Sequence, residues 1–250
     1  MTQFAVDDRP AGYETMAAEM PHATNYYRWI ASQLRPYLGT RILDIGGGYG
    51  AHLEPLLTEG HHILSIDMSE DSVVFMRNRF KHFAGFQADC ADFGHDDVRG
   101  RLTEDRFDTI TCLNVLEHIE DDRAALKDMR DILARQKGML LLQVPALQWL
   151  FGSLDEQAGY FRRYTRSTLS RVLNEAGFKI IHVRYFNLFG VLPWLVNARI
   201  LRRSVTSGAV DAQIRIFDRY LVPTLRFLEQ RVNPPLGQSL IAVASAAGSD

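Results

Sequence analysis

Four glycines fall within five positions in LDIGGGYG (43–50), directly after an apolar run. Glycine in such a place gives up chain entropy and side-chain packing, so the backbone must turn sharply or admit something too close for a Cβ. Gly46, Gly48 and Ala51 satisfy G-x-G-x-x-G/A, and Asp67 follows about 20 positions later, at the end of the next apolar run. In that spacing the turn brings backbone amides to a nucleotide and the carboxylate holds a ribose. The alternative is a merely tight strand–helix turn.

Asp44 bears on the choice of ligand. It lies two residues before Gly46, at the mouth of the first strand, where a dinucleotide would place its pyrophosphate. A carboxylate at ~4 Å from a phosphate costs roughly 1–4 kcal/mol, depending on the local dielectric. A ligand with positive charge and no phosphate reverses that sign. S-adenosylmethionine (SAM), with its sulfonium and ammonium groups, is such a ligand.

Other residues have chemistry to offer at the same edge. His118 follows the fourth strand and titrates in the range of a general base; the alternative is that it orients its loop. Its neighbour Glu117 is either a ligand-facing acid or an acceptor of backbone amides. Asn114 lines the methionine end of SAM or caps a turn, and Tyr26 covers the SAM carboxylate or packs its helix. Arg162 and Arg163 are a fork for an acceptor anion or a solvated pair. Trp149, Phe151, Tyr160, Phe161 and Trp194 are walls for an acceptor pocket, or core. His61 and His62 point to opposite strand faces, and no metal-ligand spacing is seen.

The elements that must position these residues alternate. Strands are expected at 41–45, 61–67, 84–89, 107–115 and 139–145, with helices between most of them: one from Gly50 to about Glu59, one capped by Ser69, and one opened by Asp121 and Asp122 and ended by Gly138. Residues 146–164 read as a polar and aromatic loop. Thr165 caps a further helix closed by Gly177; a strand follows at 178–186, amphipathic helices at 187–235 and a last strand at 239–246. Strand–helix alternation means crossover connections and a mostly parallel sheet.

The 250 residues suit one large α/β domain, and a net charge of -2 leaves no electrostatic footprint for nucleic acid. The start MTQFAVDDRP has no signal-peptide character, and Cys90 and Cys112 read as reduced thiols, so a cytoplasmic location is expected. The most apolar stretch, 186–201, is broken by Asn187, Gly190, Pro193, Asn197 and Arg199, so no transmembrane segment is expected. That stretch is instead a lid over a hydrophobic ligand, plain core or a dimer contact.

The motifs carry a resemblance. D-I-G-G-G-Y-G resembles motif I of the class I SAM-dependent methyltransferases, D/E-x-G-x-G-x-G. CLNVLEHIEDD (112–122) resembles the fourth-strand motif of their ubiquinone-methyltransferase-like branch. The runs VPALQWLFGSLDEQAGYFRRYT and PPLGQSLIAV are similar to a bacterial subgroup of that branch, often encoded near or fused to glycosyltransferases, and NYYRWI matches as well. The resemblance implies a Rossmann-like fold: a seven-stranded, mostly parallel sheet with helices on both faces, an antiparallel last strand and a helical insertion before it. One domain over 1–250 is expected, with a helical cap (1–40), a SAM-binding core (41–145) and an acceptor-side half (146–250).

By the same resemblance, SAM is held by Tyr26, Asp44, Gly46, Gly48, Gly50, Asp67 (ribose), Met68 (adenine face), Asp89 (adenine amino group), Cys90 and Asn114. His118 is the expected catalytic base, and Trp149, Tyr160, Arg162, Arg163 and Trp194 line the acceptor. Tyr160 departs from the subgroup, whose G-H-x-R-R-Y-T carries histidine there. The expected reaction is O-methylation of a small molecule, hydrophobic, glycosylated or lipid-linked, with S-adenosylhomocysteine as product and no metal. Peripheral membrane contact and a homodimer are compatible with this reading. N- or C-methylation, a SAM-binding protein or cyclase without methyl transfer, and a nicotinamide oxidoreductase are the alternatives.

Overall fold

A computed structural model describes residues 23–201, 215–229 and 231–246. Seven strands make one sheet in the order β3-β2-β1-β4-β5-β7-β6. They are β1 (Arg41–Ile45), β2 (His62–Asp67), β3 (Phe86–Cys90), β4 (Thr109–Leu113), β5 (Met139–Pro145), β6 (Lys179–Phe186) and β7 (Ser239–Ser245). The pairs among β1 to β5 are parallel, while β7 runs antiparallel to both β5 and β6. The sheet is therefore mostly parallel with an antiparallel last strand, as the motifs imply. The strand order reverses between β1 and β4, and open α/β sheets bind ligands in the crevice at such a point.

Central strands buried on both faces read as nearly unbroken apolar runs. In β5, Leu140, Leu142 and Val144 pack against one helical layer, α5 (Asp122–Ala134) and α7 (Arg166–Glu175), through Leu126, Met129, Leu169 and Leu173. Leu141 faces the other way, onto Trp29 and Ile30 of α1 (Thr24–Leu34) and Val222 and Leu225 of α9 (Val222–Glu229). Along the first strands the second layer is α2 (Leu53–Thr58) and α3 (Glu70–Phe80), where Leu53, Leu56, Met76 and Phe80 bury Ile42 and Ile63.

Capping matches expectation at three helices. Asp121 accepts the Ala124 amide at 3.0 Å, Thr165 the Thr168 amide at 3.2 Å, and Ser69 the Ser72 amide at 3.4 Å. Other local readings need correction. A helix the pattern did not announce, α4 (Asp96–Glu104), joins β3 to β4; its sequence DDVRGRLTE has a central glycine and only a thin apolar stripe. The stretch 146–164 is not simply a loop, because it contains α6 (Ser153–Ala158). After α5 the left-handed residue is Lys137 (φ 50°), not Gly138; Gly138 is needed because a Cβ would lie 2.6 Å from the Asp108 carbonyl. The insertion is helical at α8 (Val191–Leu195), at a π turn over Val196–Ile200, at a second π turn over Phe217–Leu221 and at α9. The first 22 residues of the expected cap, and 202–214 of the insertion, lie outside the described residues.

Candidate functional site

The glycine loop leaves β1 and is tied to β2 by two amides, Gly46 and Gly47, which donate to the Ile66 carbonyl at 2.8 and 3.2 Å. The four glycines are required for different reasons. A Cβ on Gly46 would collide with the Val115 side chain, one on Gly47 with Ser65 Oγ, and one on Gly50 would sit 2.6 Å from the Phe80 ring. Only at Gly48, with φ +54°, would a Cβ meet nothing within 4 Å. Close internal packing therefore explains Gly46, Gly47 and Gly50. Of the three glycines expected to hold SAM, Gly48 alone offers bare backbone to open space, whereas glycine at Gly46 and Gly50 is already required by internal packing.

Asp44 also differs from expectation. Its carboxylate is buried and takes three internal donors: Ser65 Oγ at 2.8 Å, Thr111 Oγ1 at 2.7 Å and His52 Nε2 at 2.8 Å. Ser65 and Thr111 are its direct register neighbours on β2 and β4, so sheet pairing assembles the network. Burial works against the charge, but His52 and the two hydroxyls prevail and hold this carboxyl below its ordinary range. Asp44 thus supports the loop from beneath, and Gly47 lies directly on it. Its charge is met inside the chain by these three groups, so it no longer bears on the choice of ligand.

Asp67 ends β2 with each oxygen on a backbone amide, Oδ2 on Gly48 and Oδ1 on Ser69, both at 2.8 Å. The carboxylate so fixes the one glycine that faces open space. Beside it the Met68 side chain is 52 % exposed, and the Cys90 thiol donates to the Met68 carbonyl at 3.7 Å. Asp89, expected near the adenine amino group, is ion-paired with Arg77 at 3.3 Å, and both side chains are about half exposed. Such a pair contributes about 0–1 kcal/mol and is readily exchanged.

At the carboxyl ends of β4 and β5 the chain gathers Tyr26, Asn114 and Gln143. Gln143 Nε2 donates to the Tyr26 hydroxyl at 2.8 Å and lies 3.5 Å from Asn114 Oδ1, and Asn114 turns with φ 56°. Burial pushes the Tyr26 phenol up to about 12. Gln143 is fully buried, and its Oε1 has no hydrogen-bond partner among the described residues. Sequence reading passed over Gln143, though the signal was there: it is the sole polar side chain in MLLLQVP.

Beyond β4, Glu117 and His118 form one short turn. Glu117 is fully buried with neither carboxyl oxygen hydrogen-bonded to a described residue, and burial pushes it up to about 8 against the pull of Arg163. His118 packs edge-on against Tyr160, centroids 4.8 Å apart. Burial lowers its imidazole to about 4, opposed by a hydrogen bond with the Gly159 backbone. Tyr160 is pushed well above its ordinary range by burial and by the facing Glu117. The structure thus unites His118 with Tyr160, two residues 42 positions apart in sequence, at the edge where a ligand of the sheet would lie.

The two arginines do not present an anion-binding fork. Arg163 is buried, donates to Asp155 at 2.9 Å and to the Ala146 carbonyl at 2.9 Å, and stacks 4.9 Å from the Trp194 ring. Arg162 donates to the Ile119 and Glu120 carbonyls at 3.0 and 2.6 Å and pairs with Asp122 at 3.2 Å. Arg162 clamps the stretch 146–164 onto the turn after β4, and Arg163 ties that stretch to itself and to Trp194, so both guanidinium groups already have partners within the chain. Trp194 joins the same clamp through Nε1 and Asp155, at 3.4 Å. Trp149 and Phe161 stand out in solvent. The stretch expected to be a lid is fastened on its inner side, where Ser153 Oγ donates to the Ala198 carbonyl and Arg199 to the Phe151 carbonyl.

With this geometry in hand, relatives are informative. A ubiquinone biosynthesis O-methyltransferase of Xylella fastidiosa (strain 9a5c) is 26% identical over 198 residues, 73% of this chain and 78% of its own length. Among solved structures, the [4+2]-cyclase SpnF superposes with a TM-score of 0.58 at 16% identity, over 90% of this chain and 81% of its own. A SAM-dependent methyltransferase of Archaeoglobus fulgidus gives 0.52 at 18% identity, over 88% and 94%. At such identities the structures speak for the fold alone. The model of the family described as "Methyltransferase domain" matches residues 15–183. The chain belongs to that family, as a class I SAM-dependent methyltransferase similar to the ubiquinone O-methyltransferases.

Proposed function

We propose that this SAM-dependent methyltransferase methylates a hydroxyl oxygen of a small, largely apolar acceptor, free, glycosylated or lipid-linked, at the carboxyl ends of β4 and β5. One observation carries the reading: neighbouring titratable groups are pushed in opposite directions, Glu117 up to about 8 and His118 down to about 4. Environments that drive two groups apart assign acid and base. At neutral pH His118 is an uncharged imidazole that accepts the hydroxyl proton, and Glu117 is a neutral carboxyl that can donate a hydrogen bond. The name of the Xylella relative supports oxygen as well.

The cofactor fits the residues present. Gly48, Asp67, Met68, Asp89 and Cys90 would hold its adenosine, with Gly48 leaving the room and Asp67 held at its rim by backbone amides. Tyr26, Asn114 and Gln143 would hold its amino-acid end, where Gln143 Oε1 offers an acceptor. When bound, SAM supplies a methyl group on a sulfonium leaving group. The chain's own part is to orient the acceptor and move a proton, and orientation supplies much of the rate. In this reading residues 41–145 serve the cofactor and 146–246 the acceptor, within one cytoplasmic domain.

His118→Ala tests it against hydroxylated aromatic and sugar acceptors, reading S-adenosylhomocysteine release and the methyl ether by mass. A base of low pKa works near the lower end of the usual range, so turnover should fall about 10²-fold with S-adenosylhomocysteine affinity little changed. Unchanged turnover would leave His118 as a positioning residue, and methyl transfer to amines alone would refute the oxygen assignment.

A further inference from the structure

The helix over 215–229 has two faces that sequence periodicity does not separate. Its inward stripe, Asp218, Val222, Leu225 and Glu229, packs against the body of the domain. Its outward stripe is also apolar: Ile216, Tyr220 and Phe227 recur at i, i+4 and i+11 and are 58%, 65% and 57% exposed. Leu221 and Leu228 flank it, each about half exposed. A helix apolar on both sides is ordinarily covered on both.

The charges around the stripe say what covers it. Arg215, Arg219 and Arg231 are exposed, and Arg231 stacks 3.6 Å from the centre of the Phe227 ring, Arg219 5.6 Å from that of Tyr220. The two acids of this helix are turned inward. Asp218 accepts the Asn25 and Tyr26 amides at 3.2 and 2.8 Å, and Glu229 the Asn187 and Leu188 amides at 3.0 and 2.7 Å. Among the described residues, the outward face therefore combines aliphatic and aromatic side chains with arginine and with no carboxylate. A second copy would set arginine against arginine, and exposed isoleucine and leucine find no complement on a nucleic acid. An anionic bilayer complements both features: hydrocarbon for the stripe, phosphate for the guanidinium groups.

We propose that the outward face of the 215–229 helix docks the protein peripherally on an anionic lipid surface. No helix among the described residues is long and apolar enough to cross a membrane, so the contact is interfacial. The insertion leaves the sheet after Phe186 and returns at Ser239, register partners at the same edge as Pro145. The proposal does not rest on methyl transfer or on His118, because binding is read without acceptor or turnover.

The test is sedimentation of the full chain with vesicles of phosphatidylcholine, and of phosphatidylcholine mixed with phosphatidylglycerol. The protein should sediment with the mixed vesicles and be released by raised salt. Arg219→Ala should lower partitioning about fivefold. Tyr220→Glu with Phe227→Glu should abolish it while the thermal shift on S-adenosylhomocysteine persists. If that double variant fails to fold, Arg219→Ala and Arg231→Ala, both at exposed positions, carry the test alone. Protein remaining in solution with both vesicle types would overturn the proposal, as would equal binding by wild type and variants. A dimer in analytical ultracentrifugation that Tyr220→Glu dissolves would show a contact between copies, and would overturn it too.

Discussion

Residues 41–145 and 146–246 build their halves of the molecule by different means. In the first, polar side chains serve backbone: Asp67 pins the Gly48 and Ser69 amides, and Asp44 is satisfied by the hydroxyls beside it in the sheet. In the second, charged side chains tie distant elements to one another. Arg163 meets Asp155 and Trp194, Arg162 meets Asp122, and Glu229 caps the turn after β6. In the proposed reading, the cofactor side depends on register and turn geometry, which short motifs encode, and the acceptor side on long-range pairs that no local pattern encodes.

The sharpest way to break that contrast is to remove one partner of the buried pair. Asp155→Ala leaves the Arg163 guanidinium buried without a counter-charge, which should cost about 3–5 kcal/mol in denaturant unfolding. Affinity of the folded fraction for S-adenosylhomocysteine should hardly change, since the pair belongs to the other half. A loss below about 1 kcal/mol would mean the clamp is dispensable.

Next in size is Asp67→Ala, which should act on binding more than on folding. Charge-assisted hydrogen bonds contribute about 1.5–3 kcal/mol each, so calorimetry should show S-adenosylhomocysteine affinity reduced at least tenfold. Freeing the Gly48 and Ser69 amides should also lower the melting temperature modestly. Undiminished affinity in a folded variant would contradict the role assigned to β2.

The smallest effect at neutral pH is expected from Glu117→Gln, and its value lies in the pH dependence. The folded protein keeps a proton on Glu117 up to about 8, whereas the unfolded chain releases it near the ordinary 4.5. Stability from this group therefore falls as pH rises between those values. His118 acts in the opposite sense: with its imidazole lowered from 6.5 to about 4, stability is lost as pH falls through that interval. Unfolding free energies across pH 4 to 8 should show a flatter alkaline decline in Glu117→Gln, with the acid limb retained. An identical profile would mean that the buried carboxyl is ionised.

Much of the first half was legible from particular residues. RILDI and MLLLQVP read as buried strands and occupy β1 and β5 with those bounds, and Asp121 and Thr165 cap the helices assigned to them. The antiparallel β7 was accessible only through resemblance, since SLIAVAS is apolar in either direction. The helix Asp96–Glu104 escaped because its pattern is weak and its burial comes from α5 rather than from its own periodicity.

Sequence by itself determined the class of fold and the place of the glycine turn, because strand alternation and G-x-G spacing are local properties of the chain; the cofactor was legible only through the resemblance of its motifs. Tertiary structure alone decided which glycine faces open space, that Asp44 looks inward, that Arg162 and Arg163 are clamps, and that His118 meets Tyr160. Each of these depends on which distant side chain arrives at the same point. A charge is free for a ligand only if no nearer partner has been brought to it, and the packing of β4, β5 and the insertion settles that.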